Sequence, residues 1–269
     1  MLKTIKETVS YIKSKIDLQP EIGIILGTGL GGMVNEIDID TVLEYEDIPN
    51  FPVSTVESHH GKLIFGKLNG KKIVAMQGRF HYYEGYSPQE VTFPVRVMKY
   101  LGISHLFVSN ASGGVNPDFE IGDLMILDDH INLIPNPLIG PHDTAFGDRF
   151  PDMSEPYDLT LINKAFEIGC QHKLPVRKGC YVGVTGPTLE TPKEYQYFRI
   201  IGGDTVGMST VPEIIVAHQM GILCFAISII TDLGVPGKIV KVSLKDVTSV
   251  AAKAEPQMTL IMKELISGI

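Results

Sequence analysis

Five short polar segments carry the residue types best suited to chemistry: 27–32, 110–114, 185–190, 209–210 and 231–232. Each follows an apolar run that reads as a strand. Gly-Thr-Gly-Leu-Gly-Gly at 27–32 offers backbone N–H groups and the Thr28 hydroxyl to a single anion. Arg79 and His81 stand two apart after another such run, so both can face one side. The planar fork of Arg79 is matched to phosphate. Ser209 lies just before Val211-Pro212, an expected helix start, and helix N-termini also attract phosphate. Together these groups describe a site for one anion. Glu190, in Gly-Pro-Thr-Leu-Glu-Thr, reads either as a helix-start carboxylate favoured by the dipole or as a working group. Asp232 ends the most apolar strand, where a carboxylate needs partners.

Plainer and rival readings stand beside this one. The five segments could be ordinary turns. Their recurrence at strand ends, where α/β sheets bind ligands, favours a shared site. Gly27, Gly29 and Gly32 satisfy G-x-G-x-x-G, the dinucleotide fingerprint. That fingerprint needs a helix directly after the glycines, and the acidic stretch 33–48 has no helical stripe. His59 and His60 could ligate a metal, but no third ligand stands at a recognisable spacing. No metal or cofactor is expected.

The elements that must hold these groups alternate. Leu2, Ile5, Val9, Ile12 and Ile16 recur at helical spacing. Strands are expected at 23–26, 105–109, 123–127, 180–184, 205–208 and 222–230. Residues 62–78 read as a hairpin turning at Asn69-Gly70. Ser87-Pro88-Gln89-Glu90 and Thr191-Pro192-Lys193-Glu194 are capping-box helix starts, the first opening a helix to about Leu101. Other helices are expected over 159–172, 212–220 and 244–265, and Pro256 should kink or break the last one. Residues 135–156, rich in Pro, Gly and Asp, form the longest irregular stretch. The expected fold is therefore α/β: a single domain over 1–269, with a mixed central β-sheet flanked by helices.

Composition narrows the function class. The 269 residues are 44% hydrophobic and 20% charged, enough for one sizeable core. A net charge of −8 with no basic run argues against nucleic acid as a partner. Three irregularly spaced cysteines suggest neither a disulfide framework nor a zinc site, and Cys224 reads as a small core residue. No signal peptide or membrane-spanning run is visible. The expected setting is cytoplasmic, soluble and reduced.

Ordered motifs from about Glu21 to the last helix resemble the trimeric purine nucleoside phosphorylases, a family that includes the methylthioadenosine phosphorylases. They are GTGLGG, IPNFP, HHGKLIFG, QGRFHYYEGY, VTFPVRV, NASGGVNP, DHINL, FGDRFPDMS, GPTLET and VGMSTVPE. The resemblance implies a nucleoside phosphorylase fold and cleavage of purine nucleosides by phosphate, giving base and ribose 1-phosphate. It implies phosphate contacts from Thr28, His59, Arg79, His81, Asn110, the Ala111 backbone and Ser209. Tyr83 and Met208 would contact ribose. Tyr181, Leu189, Glu190 and Val206 would surround the purine. Phe150 would reach into a neighbouring subunit's pocket, hence a homotrimer. Phosphate is a co-substrate, and catalysis is expected from Asp232, Glu190 and His81.

Two positions depart from the 6-oxopurine pattern. Asp232 stands where those enzymes carry Asn, and Leu244 where they carry a His. Methylthioadenosine phosphorylases resemble the chain at both points but lack the Glu of GPTLET. The leading expectation is inosine and guanosine, because their N1–H suits Glu190 and adenine N1 does not. Adenosine, methylthioadenosine or methylthioinosine is the alternative. A non-enzymatic nucleoside-binding role would require the phosphate groups to be lost, and all are present.

Overall fold

A computed structural model describes residues 1–27, 30–53 and 61–269. The chain opens with α1 (Leu2–Lys13), which buries Ile5, Val9 and Ile12 at the expected spacing. β1 (Ile22–Leu26), entirely buried, leads towards the first glycine segment. A 3-10 segment (Gly31–Glu36) follows that segment, so no α-helix begins there as a dinucleotide site would require. Then come β2 (Asp38–Glu44) and the hairpin β3 (Lys62–Leu68) and β4 (Lys71–Gln77). Asn69 and Gly70, at φ 49° and 81°, form its turn, as the Asn-Gly pair demands.

The helix expected from Ser87 to Leu101 is two pieces, α2 (Pro88–Val91) and α3 (Phe93–Leu101), meeting at Thr92. Pro94 cannot donate a backbone hydrogen bond to Glu90, and in the first turn of a new helix it need not. There follow β5 (His105–Gly114), β6 (Leu124–Asn132), α4 (Leu159–Gln171), β7 (Val176–Gly183) and α5 (Pro192–Ile200). The chain ends with β8 (Thr205–Gly207), α6 (Val211–Gln219), β9 (Leu223–Leu233) and α7 (Leu244–Ser267).

The nine strands among the described residues form one mixed sheet in the order β2-β3-β4-β1-β5-β8-β7-β6-β9. β9 also pairs with β5, so β5, β8, β7, β6 and β9 close into a ring. β5 and β9 run parallel from His105↔Leu223 to Gly114↔Leu233. Residues 110–114 and 231–232 are therefore strand rather than the turns expected from their polarity, because each backbone finds its hydrogen bonds in the other strand. The register slips between Ser112 and Gly113, a local irregularity beside the polar residues. β6 likewise runs well past the expected 127, and β7 begins before the expected 180.

α7 continues through Pro256 instead of breaking. Pro256 and Ala252, whose carbonyl loses its helical donor, both face water, so hydration can replace that bond. Glu255, just before the proline, accepts hydrogen bonds from the backbone N–H of Gly32 at 2.6 Å and of Met33 at 3.3 Å. A Cβ at Gly32 would sit 2.7 Å from Glu255 Oε2, so glycine is what allows this approach. Cys224 is buried, as expected of a core residue.

Candidate active site

The ends of β4, β5, β8 and β9 surround a cavity of about 410 Å³. Arg79, His81, Asn110 and Ser209 line it, as do Ala111, Tyr83 and Met208. Leu189, Glu190, Val206, Asp232 and Leu244 line it too. Tyr181 does not. It is fully buried one layer behind, where its hydroxyl accepts from the Ser209 N–H at 3.4 Å. Phe150 lies elsewhere, in the long irregular stretch, and is 88% exposed. Arg149 anchors the loop beneath it by donating to the Leu138 and Gly140 carbonyls. Thr28 and His59 fall outside the described residues.

Two polar clusters divide the cavity. The first is built around Arg79, which is 1% exposed. Its Nη1 donates to Ser209 Oγ at 2.8 Å, and its Nε faces Glu213 Oε1 at 3.3 Å. Among the described residues its Nη2 has no partner. A buried guanidinium N–H without an acceptor is unfavourable unless something else, such as a phosphate oxygen, supplies one.

Thr210 joins this cluster together. Its hydroxyl accepts from Asn110 Nδ2 at 2.9 Å, and lies within 3.1 Å of Ser209 Oγ and 3.4 Å of Arg79 Nη1. Ser228 Oγ fixes Asn110 from the other side, donating to its Oδ1 at 2.6 Å. Thr210 sits at φ 68°, ψ −56°, and Val211 N–H bonds back to the Ser209 carbonyl at 2.7 Å. That is a γ-turn with positive φ, a conformation that stores roughly 1–3 kcal/mol of strain. The turn presents Ser209 to the cavity at the head of α6.

His81 is buried, with Nδ1 3.0 Å from Glu84 Oε1. Burial pushes its pKa down against the pull of that carboxylate. Neutral, with the proton on Nδ1, it keeps Nε2 as an acceptor, which suits the O–H of a monohydrogen phosphate.

The second cluster holds the carboxylates. Thr231 Oγ1 donates to Asp232 Oδ1 at 3.0 Å, and the Tyr195 hydroxyl lies 3.5 Å from Asp232 Oδ2. Burial raises the pKa of both Glu190 and Asp232, and the charge of Asp232 raises Glu190 further. Gly113 pairs with Asp232 across the strands, and a Cβ on it would come within 3.0 Å of Oδ2. Glu190 is not the helix-start carboxylate of α5. Thr191 is the N-cap and Glu194 closes its box, accepting from Thr191 N–H at 2.7 Å. Asn110 and Gly113 are three residues apart on β5, which separates the two clusters by about 10 Å. An anion at one end and a heterocycle at the other fit that spacing. Among the described residues, no three His, Cys, Asp or Glu side chains gather as a metal site.

Comparison with known proteins shows the family. A profile described as the phosphorylase superfamily matches residues 21–267. Purine nucleoside phosphorylase 1 of Bacillus subtilis (strain 168) is 48% identical over 268 residues, covering 99% of both chains. The chain belongs to the purine nucleoside phosphorylase family. A second relative, purine nucleoside phosphorylase 1 of Geobacillus stearothermophilus, is 55% identical across 85% of this chain and 84% of its own. Schistosoma mansoni purine nucleoside phosphorylase, solved in complex with adenosine, superposes with a TM-score of 0.94 at 40% identity, over 99% of this chain and 97% of that one. A related schistosoma structure contains hypoxanthine, with the same TM-score of 0.94 and 40% identity over 99% and 97% of the two chains. Membership in the purine nucleoside phosphorylase family makes the chain a pentosyltransferase-type enzyme.

Several residues of the site carried no signal of their own. Glu213 lies inside the STVPE segment but acts through Arg79. Tyr195 reads as part of a helix start, and Val247 as part of a helix face. Only the fold brings Tyr195 under the carboxylates and Val247 to the cavity wall.

Proposed function

We propose that the protein cleaves inosine- and guanosine-type nucleosides with phosphate, releasing purine and ribose 1-phosphate. The observation that carries this is the pairing, in one cavity, of an Arg79 guanidinium whose Nη2 has no partner among the described residues with the Glu190 and Asp232 carboxylates about 10 Å away. Arg79, Ser209, Asn110, the Ala111 backbone and His81 hold the phosphate. Tyr83 and Met208 border the ribose. Leu189 and Val206 flank the purine, with Tyr181 supporting them from behind.

The C1′–N9 bond stretches, and the ribosyl group becomes oxocarbenium-like. Phosphate, on the face opposite the base, stabilises that cation and captures it with inversion. The electron pair of the broken bond stays on the purine. Asp232, protonated, gives its proton to N7. Formation of the ester releases the phosphate proton, and solvent restores the one on Asp232, so the balance closes. Glu190, ionised, accepts the N1–H of hypoxanthine or guanine. No step calls on a resident metal or organic cofactor.

The long loop carrying the exposed Phe150 supports a homotrimer in which that ring covers a neighbour's ribose. Among the described residues no helix is long and apolar enough to cross a membrane. A cytoplasmic setting, with neither nucleic acid nor membrane as partner, fits the acidic, cysteine-poor chain.

The second reading, adenosine or a 5′-methylthio nucleoside, is favoured by Leu244 and Val247, which add apolar surface to the cavity. Release of base from inosine, guanosine, adenosine and methylthioadenosine, each with and without phosphate, tests both. Phosphate-dependent release from inosine and guanosine first is expected. Release without phosphate would overturn phosphorolysis, and a preference for adenosine or methylthioadenosine would overturn the 6-oxopurine assignment.

A further inference from the structure

We propose that Glu213 is a standing counter-ion of Arg79 that weakens the grip of the site on phosphate and on ribose 1-phosphate. The role rests on the assignment of Arg79 to phosphate and adds what sets the strength of that grip. The two side chains are 1% and 4% exposed and face each other at 3.3 Å. Among the described residues neither Arg79 Nε nor Glu213 Oε2 makes a hydrogen bond. The pair is therefore held by charge and not by a directed N–H, so it contributes little to the aim of the guanidinium. That aim comes from Nη1, which donates to Ser209 Oγ at 2.8 Å. Glu213 stands in the first turn of α6, where a carboxylate also suits the helix dipole. The dipole alone would be served equally well by a carboxylate in water, whereas this one is buried against the cation.

A buried guanidinium without an anion is costly, and Glu213 supplies one while the site is empty. Phosphate at the unpartnered Nη2 then shares its cation with a second anion. Nothing else nearby offsets the added charge. Arg79 is the one Arg or Lys lining the cavity among the described residues. Burial favours the neutral form of His81, whose Nδ1 is 3.0 Å from a further carboxylate, Glu84. Like charges this close in a sealed site oppose each other by roughly tenfold or more in a binding constant. Ribose 1-phosphate carries the same anion in the same cradle, so the opposition acts on product as well as substrate. Glu213 thus favours both a stable empty site and departure of the product.

Glu213→Gln keeps the shape and removes the charge. Calorimetric titration with inorganic phosphate, inhibition by ribose 1-phosphate and thermal unfolding read its effect beside the parent. Phosphate and ribose 1-phosphate should both bind about tenfold more tightly to the variant. Without phosphate the variant should melt at a lower temperature than the parent, and added phosphate should raise its Tm by more. Glu213→Asp keeps the charge and should bind phosphate as the parent does. A purely structural Glu213 predicts the opposite sign, because a misplaced Arg79 would hold phosphate less well. Unchanged or weaker phosphate binding in Glu213→Gln therefore overturns the inference, as does a tightening that Glu213→Asp shares. Should Glu213→Gln be unfolded in phosphate-free buffer, phosphate should restore its fold, and failure to do so also overturns the inference. If Arg79→Lys binds phosphate as the parent does, the anion site itself is misassigned.

Discussion

Arg79 Nε and Glu213 Oε1 face each other at 3.3 Å, both nearly sealed from water, so the proposed anion-binding cation is also half of a buried ion pair. Removing one partner of such a pair strands the other, at about 3–5 kcal/mol. Arg79→Ala should therefore lower unfolding stability by that order as well as weaken phosphate. Arg79→Lys retains the charge without the fork and should raise the phosphate KM with a smaller loss of stability. Denaturant titration together with phosphate saturation curves separates the two effects. An Arg79→Ala protein as stable as its parent would show that the pair contributes nothing to folding.

Glu190→Gln should damage base reading and spare phosphate. A carboxamide can turn its donor towards N1–H, and an unmatched polar pair in a closed site costs about 1–3 kcal/mol. The expected outcome is a drop in kcat/KM for inosine and guanosine of that size, with a smaller change for adenosine and an unaltered phosphate KM. Equal losses on inosine and adenosine would count against Glu190 as the reader of the base.

Phe150→Ala should leave folding alone, because the ring is 88% exposed in the isolated subunit. If a neighbour's ribose is what it covers, the nucleoside KM should rise by roughly tenfold, the lower end of what burying a Phe contributes. Light scattering should report a trimer for both proteins. A fully active monomer would be the refuting result.

Burial raises the pKa of Asp232, so the carboxyl stays protonated to higher pH than an exposed Asp. Its usefulness as an acid is complete below that raised pKa and is lost as pH rises through it. Activity on inosine should accordingly fall on the alkaline side. Asp232→Asn keeps a donor with no titration, so it should flatten that fall and sharpen the preference for 6-oxopurines. Superimposable profiles from the two proteins would end the acid role.

What sequence reasoning could reach followed the range of the forces involved. The capping boxes at Ser87 and Thr191, and the Asn69-Gly70 turn, are local and appear where their residues require. Residues 110–114 look like a turn from their own composition. They extend β5 because β9, more than a hundred residues later, supplies the matching backbone groups. Asp232 could be singled out because a carboxylate after so apolar a run is anomalous. Tyr195 and Glu213 could not, since their work is defined by Asp232 and Arg79, neither of which is nearby in the chain. The expected break at Pro256 fails for the same reason: whether a lost hydrogen bond matters depends on which side of α7 faces water.

The tie between Glu255 and the amides of Gly32 and Met33 makes the protein's last helix a structural part of its first loop. The amide of Gly32 is protected only while α7 is folded, so its hydrogen exchange should keep time with that of a helix 223 residues away. Any event that frays α7 near Glu255 then also frees the amides of Gly32 and Met33, although neither residue has been touched.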